Sequence, residues 1–279
     1  NGVGLGVLPR EQAARRTLLP VPPHTLISGL NHLEIRPPKT GDDITLSGLR
    51  LLERGYRDLL GIHPLRVQVV DADSGLGVPA RLVVLGADGR AALLHYPEAA
   101  GFPTRAGVQY VDAAGRGLLE LGPGLWRVHA MRGTEWSHAS SEVRMPTAGE
   151  SGVLVLKIRR EVDTRGWMSC DTHLHTLTFS GHGDATLEER VLTLAGEGVE
   201  VAIATDHNHQ TDYTPAQRAA GVQDAYLAII GNEVTTDLGH FNAFPFAAGS
   251  AKPNPELTEW PGLDAEIRAR GAQVVILNH

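Results

Sequence analysis

Trp167-Met168-Ser169-Cys170-Asp171-Thr172-His173-Leu174-His175 is the stretch on which the reading of this chain turns. Trp167–Asp171 reads as a strand, and the two histidines beyond it are two residues apart, which on extended backbone puts both imidazoles on one side. C-terminal to it, Thr186–Glu197 reads as a helix opened by the capping-box pair Thr186 and Glu189. Val199–Thr205 reads as a buried strand, Tyr226–Gly231 and Phe241–Phe246 as further strands, Leu263–Arg270 as a helix, and Gln273–Leu277 as another buried strand. Strands alternating with helices predict a parallel α/β layer or barrel.

N-terminal to that stretch the pattern is different. Leu65–Val70, Ala80–Leu85, Val108–Val111, Leu118–Leu121, Leu125–Met131 and Val153–Ile158 are short β-prone runs, separated by turn signals such as Asp88-Gly89 and Gly122-Pro123-Gly124. Alternation within them, as in Trp126-Arg127-Val128-His129-Ala130, predicts an all-β sandwich over 61–162. Asp71 and Asp73 lack the glycine and distal glutamate of a calcium loop and read as hairpin chemistry. Residues 1–60 read as extended around Pro20, Pro22, Pro23, Pro37 and Pro38, with a short amphipathic helix from Thr45 to Leu60. Gly2, Gly4 and Gly6 follow no strand and precede Pro9, so they make no nucleotide loop. The expected organisation is therefore an N-terminal segment (1–60), a β-sandwich (61–162) and a third domain (163–279).

Composition bounds the function. With 279 residues, 42% apolar and 20% charged, the chain can bury a core in roughly two domains and is no disordered segment. No apolar run approaches the ~20 residues of a membrane span. A net charge of −7 argues against a nucleic-acid-binding role. The single cysteine, Cys170, excludes an intramolecular disulfide and a four-thiolate zinc site. It falls in a strand read as buried with nothing nearby to activate its thiolate, which argues against a nucleophile. Ser180 sits in no G-x-S-x-G elbow. Charge is uneven: residues 1–160 carry a net +4 and residues 161–279 a net −11, as expected if some carboxylates of the second part converge on cations. The sequence opens on Asn1 without a basic-then-apolar leader, so targeting information is expected to lie outside this numbering, and export is compatible with the domain pattern.

Each apolar run of the last third is followed by metal-competent side chains: His173 and His175, then Asp206 and His207, then Glu233, then His279. In parallel α/β folds the C-terminal strand ends are where sites are built. His173 and His175 can grip one ion, Glu233 can bridge two through its two oxygens, and His240 lies within reach of the second. A His/carboxylate shell without thiolate suits catalytic zinc, manganese or iron. Such ions make water nucleophilic and polarise a scissile bond. His24, His32, His63, His95, His129 and His138 show no paired spacing and read as surface or hydrogen-bonded residues.

The ordered series Asp171-Thr172-His173-Leu174-His175-Thr176, Ala204-Thr205-Asp206-His207-Asn208, Gly231-Asn232-Glu233-Val234, Gly239-His240-Phe241-Asn242 and Leu277-Asn278-His279 resembles the polymerase and histidinol phosphatase (PHP) family. Gly166-Trp167 before the first motif, Asp206-His207-Asn208-His209 and the preceding sandwich are similar to its carbaryl-hydrolase-like (CehA/McbA) branch. The resemblance covers about residues 166–279. It implies a distorted (β/α)7 barrel, here partial, holding two or three divalent metals. His173 and His175 would hold the first, Glu233 would bridge to a second completed by His240 and His279, and His207 would help hold a third. The family places an Asp or His beyond its first pair for that third ion; His182 is favoured here over Asp184. Its closing Asp-x-His motif belongs well after His279, so the expectation is either that the sequence is a fragment or that the last strands are absent, with the first and third metal sites each lacking a ligand. Asp206 reads as a carboxylate that fixes a liganding His, and His209 as a leaving-group acid or as pocket lining; these two are the catalytic candidates.

The expected function is a metal-dependent hydrolase acting on an ester, carbamate or phosphoester of a small-molecule substrate, with no nucleic-acid partner. The alternative from another class is a non-catalytic binding protein whose sandwich contacts a polymer or partner and whose metal site is structural or vestigial.

Overall fold

The computed structural model describes residues 2–5, 19, 21–22, 24–36, 46, 48–94, 101–146 and 152–279. The expectations on Gly6, Pro9, Pro20, Pro23, Pro37, Pro38, Thr45 and His95 lie outside them. The chain divides into two compact units, Asn1–Ile62 and His63–His279. The described part of the first unit holds helix α1 (Tyr56–Leu60) and otherwise turns, bends and irregular backbone. Residues 46 and 48–55 are not helical, so the helix expected from Thr45 shrinks to five residues. Its carbonyls are closed by Gly61 in the left-handed conformation, φ 59°.

The second unit begins with eight strands: β1 (His63–Asp71), β2 (Arg81–Gly86), β3 (Thr104–Arg105), β4 (Val108–Tyr110), β5 (Arg116–Leu121), β6 (Gly124–Met131), β7 (Ala139–Met145) and β8 (Val153–Ile158). They form two sheets, of order β5-β1-β8 and β3-β4-β2-β6-β7. Alternation supplies the reason they pack together. Leu65, Val67 and Val69 of β1, Leu119 and Leu121 of β5, and Leu156 and Ile158 of β8 meet Leu82 and Val84 of β2 and Val128 and Ala130 of β6 in one buried cluster. Each large side chain so buried contributes roughly 1.5–3 kcal/mol.

The remaining elements are β9 (Cys170–Leu174), α2 (Leu177–Ser180), α3 (Leu187–Gly196), β10 (Val201–Ala204), α4 (Thr214–Ala220), β11 (Leu227–Ile230), β12 (Asn232–Thr236), β13 (Gly239–Phe244), α5 (Trp260–Ala269) and β14 (Val274–Leu277). The capping box at Thr186 and Glu189 is made. Three strands are parallel, in the order β11-β10-β9, and α3 covers them through Val191, Leu192, Leu194 and Ala195. Arg105 and Arg81 of the first sheets reach Glu189 and Glu197 at the two ends of α3, and Tyr110 donates to Glu197 at 2.6 Å.

The (β/α)7 barrel is not formed, and the expected fold class is corrected accordingly. Among the described residues strands hold 33% and helices only 14%, in several small sheets, too little helix to cover a ring of seven parallel strands. The parallel series stops at Gly231. A Cβ there would stand 2.8 Å from Ile203 Cγ2 and 2.9 Å from the Ala204 carbonyl oxygen, so glycine lets the chain turn against the end of β10 and start β12 at once, with no helix between. A tight turn through Asp237 and Leu238 then returns β13 antiparallel to β12, and β14 adds antiparallel to β13. Hairpins need only such turns, whereas parallel crossovers need a dozen residues or more.

Three further expectations are corrected. Trp167 and Met168 are 81% and 72% exposed and precede the strand, which starts at Cys170. Cys170 is itself exposed. β14 lies at a sheet edge with Val274, Ile276 and Leu277 exposed, because it has one neighbour only. Among the described residues no helix is long and apolar enough to cross a membrane.

Candidate metal centre

Three short connections bring the chemistry to one place. β9 ends at Leu174, leaving His173 and His175 on one side, and β10 runs straight into Thr205, Asp206 and His207. β12 then passes alongside that exit, where His207 and Glu233 form a parallel bridge. Asn208, in the left-handed conformation at φ 48°, binds both the amide and the carbonyl of Thr235 and donates its own N–H to the Glu233 carbonyl. A non-glycine residue at positive φ is most tolerable as Asn. On the far side, pairing of the His240 and His279 backbones brings Asn278 to the same spot.

Glu233 is the centre. It is fully buried, and the ionisable groups close to it are imidazoles. Oε1 stands 3.3 Å from His173 Nε2 and 3.2 Å from His240 Nδ1, and accepts from Asn278 Nδ2 at 3.1 Å. Oε2 stands 3.1 Å from His175 Nε2 and 2.9 Å from His207 Nδ1, yet neither nitrogen is directed as a hydrogen-bond donor, and this oxygen has no hydrogen-bond partner. A buried carboxylate oxygen left so costs on the order of 1–3 kcal/mol or more. His173 and His175 face each other at 3.0 Å between Nε2 atoms, and His182 and His207 at 2.7 Å.

These distances fit cations. Donors held at about 2.1 Å by one ion stand about 3.4 Å apart in a tetrahedron and about 3.0 Å apart at the right angles of an octahedron. Among the described residues three sets have ligand atoms within 4.8 Å of one another: His173, His175 and Glu233; His207, Glu233 and His240; and His175, His182 and His207. Glu233 belongs to the first two and can span them with its two oxygens. The orphaned Oε2 and the all-imidazole surroundings are what a divalent cation would satisfy, so the residues fit the group.

Burial pushes His175 down to about 4 and His207 below its usual range, against the pull of Glu233. Glu233 itself is raised by burial, but the Asn278 amide and the imidazoles outweigh that and leave it below the usual carboxylate range. Neutral imidazoles beside an ionised carboxylate are the protonation states that metal binding needs.

Of the expected site residues, the structure brings together His173, His175, His207, Glu233 and His240, with His182 against His207. His279 sits at the rim: its ring is 66% exposed, 3.8 Å from Glu233 Oε1 and beside His240, and it belongs to none of the three sets. Asp184 faces solvent and Arg190. Asp206 is buried but bonds to no imidazole. Its Oδ1 accepts from the Thr176 amide, the Thr176 hydroxyl and the Ser180 hydroxyl, and its Oδ2 from the Thr211 hydroxyl. His209 lies outside the cluster, stacked on Phe179 at 4.1 Å with Nδ1 2.9 Å from Thr211 Oγ1; burial and the charge of Lys252 push it down. His129 and His138, read as ordinary, bond each other at 2.8 Å. Sequence reasoning missed Ser180, Thr211, Thr235 and Asn278; a lone hydroxyl or amide in a loop has no spacing signature. A groove of about 410 Å³ lined by Arg160, Asp163, Arg165, Trp167 and Glu200 lies by the opposite end of β9 and takes no part.

No family model and no curated protein matches this chain. Among solved structures, 36% of the chain is similar to 30% of the length of the major pilin subunit of Bacillus cereus, at 10% identity and a TM-score of 0.30. A likeness that small carries no argument.

Proposed function

We propose that the chain is a metal-dependent hydrolase of a small-molecule ester, carbamate or phosphoester. The observation that carries the reading is the buried Glu233 carboxylate, with an unpaired oxygen, set among His173, His175, His207 and His240. His173 and His175 with Glu233 would hold one divalent ion, and Glu233 with His240 and His207 a second; zinc, manganese and iron suit the donors. Bound there, the ions would supply Lewis acidity to water and to the scissile carbonyl or phosphoryl group. The protein's own part is to keep Glu233 ionised, His175 and His207 neutral, and their rings oriented by the half-buried hydroxyls of Ser180 and Thr235. The arrangement of motifs that resembles the PHP family supports the same reaction class.

The test is turnover of a generic aryl ester and a generic aryl phosphate by the metal-loaded chain, with and without chelator, alongside His173→Ala. Turnover abolished by chelator and by the variant is the expected result. Stoichiometric metal with no turnover of either substrate would make the cluster a structural site.

A further inference from the structure

The Asp206 carboxylate bonds to no imidazole, yet two rings depend on it through separate hydroxyls. A hydroxyl has one proton and two lone pairs, and an ionised carboxylate only accepts. The Ser180 proton goes to Asp206 Oδ1 at 2.7 Å. One Ser180 lone pair takes the His207 amide at 3.2 Å, so His175 Nδ1, at 3.1 Å, meets the other and must carry a hydrogen. The same logic holds on the other oxygen. Thr211 gives its proton to Oδ2 at 2.7 Å, so it can only accept from His209 Nδ1 at 2.9 Å.

We propose that Asp206 is a positioning residue that acts through two independent hydroxyls, Ser180 for His175 and Thr211 for His209, and holds both rings with the proton on Nδ1 and a bare lone pair on Nε2. For His175 this presents Nε2 to the space it shares with His173 Nε2 and Glu233 Oε2. For His209 it means that the neutral ring can take a proton at Nε2 and cannot give one there. That consequence for catalysis rests on the hydrolase reading; the hydrogen bonding does not.

The two oxygens of Asp206 are unequal, and this gives a sharp test. Oδ1 accepts three donors and Oδ2 one. In Asp206→Asn the amide oxygen therefore takes the Oδ1 place and the NH₂ group faces Thr211. Thr211 then accepts from the amide and turns its own proton to His209 Nδ1. His209 switches to the Nε2–H tautomer while His175 keeps Nδ1–H. A wrong tautomer is the known effect of the Asp-to-Asn change in the serine-protease triad.

The experiment is long-range ¹H–¹⁵N correlation NMR of the metal-free full chain with ¹⁵N-labelled histidine at pH 8. The expected result is Nδ1–H at His175 and His209 in the wild type and a switch at His209 alone in Asp206→Asn. Nε2–H at either ring in the wild type, or both rings switching together, overturns the proposal. Should Asp206→Asn not fold, the single-hydroxyl deletions decide: Thr211→Val releases His209 alone and Ser180→Ala releases His175 alone, and a change in the other ring overturns the proposal. In Zn²⁺ titrations Ser180→Ala weakens binding about 10- to 100-fold, and binding as tight as in the wild type counts against the relay. A wild-type chain that takes no Zn²⁺ overturns the hydrolase reading and leaves the NMR result standing.

Discussion

Replacing Glu233 by Gln keeps the shape of the side chain and removes one charge. In the metal-free protein two effects oppose each other. The attraction of the ionised carboxylate to the imidazoles and its bond from Asn278 are weakened. In exchange the cost of burying a charge with an unpaired oxygen disappears, and the new NH₂ can donate to His175 Nε2, 3.1 Å from the present Oε2. The net change in metal-free stability is within about 1–2 kcal/mol, the size of one hydrogen bond. The metal-bound state behaves differently. Each cation at about 1,000 times its dissociation constant stabilises the wild type by about 4 kcal/mol, which for a unit of this size is about 8–16 °C in Tm per ion. The amide of Glu233→Gln has a single neutral oxygen to offer and cannot bridge two ions, so that gain falls to a small fraction. Differential scanning fluorimetry of both proteins, with chelator and with excess Zn²⁺ or Mn²⁺, reads the result. A full metal-dependent shift in the variant would refute the bridging role, and a collapse of its metal-free Tm would refute the balance just drawn.

Metal-free wild type loses stability as pH falls from about 6.5 toward 4. The folded pKa of His175 is about 4, so between those values the unfolded chain binds the proton that the folded ring refuses; His207 and Glu233 shift the same way. The loss from His175 is on the order of 3 kcal/mol, and urea unfolding at pH 7 and pH 4.5 measures it. Gly231→Ala, whose Cβ would meet Ile203 Cγ2 and the Ala204 carbonyl, costs about 1–3 kcal/mol and shows as a lower urea midpoint. Thr186→Ala breaks the capping box of α3 and costs about 1 kcal/mol, with metal binding retained in the same titration.

The parts of this molecule that follow simple periodicities were legible in its sequence. Six β-prone runs between residues 65 and 158 coincide with strands, because alternate residues such as Leu65, Val67 and Val69 face one core. The Thr186 and Glu189 pair marked its helix start for a reason of local hydrogen bonding alone. The convergence of His173, His175, His207, Glu233 and His240 was legible too, since each follows or sits in an apolar run at an end that other strands share. What failed was topology. Apolar runs do not state their direction: Phe241–Phe246 and Gln273–Leu277 read as members of a parallel series, although β13 follows β12 after the short Asp237-Leu238 turn, which leaves no room for a crossover helix, and β14 pairs antiparallel to β13 despite the helix α5 between them. Val274–Leu277 is apolar but lies on an edge, and Trp167 and Met168 are apolar yet exposed, since hydrophobicity alone does not report burial. The hydroxyls of Ser180 and Thr211 became visible only once Asp206 was seen to stand between them.

Elemental analysis of the purified full chain after loading with divalent metal and desalting tests the central claim most directly. Glu233 spanning two imidazole groups predicts about two equivalents of metal per chain, removed by chelator and reduced below one in Glu233→Gln. A wild-type chain that retains none would contradict it.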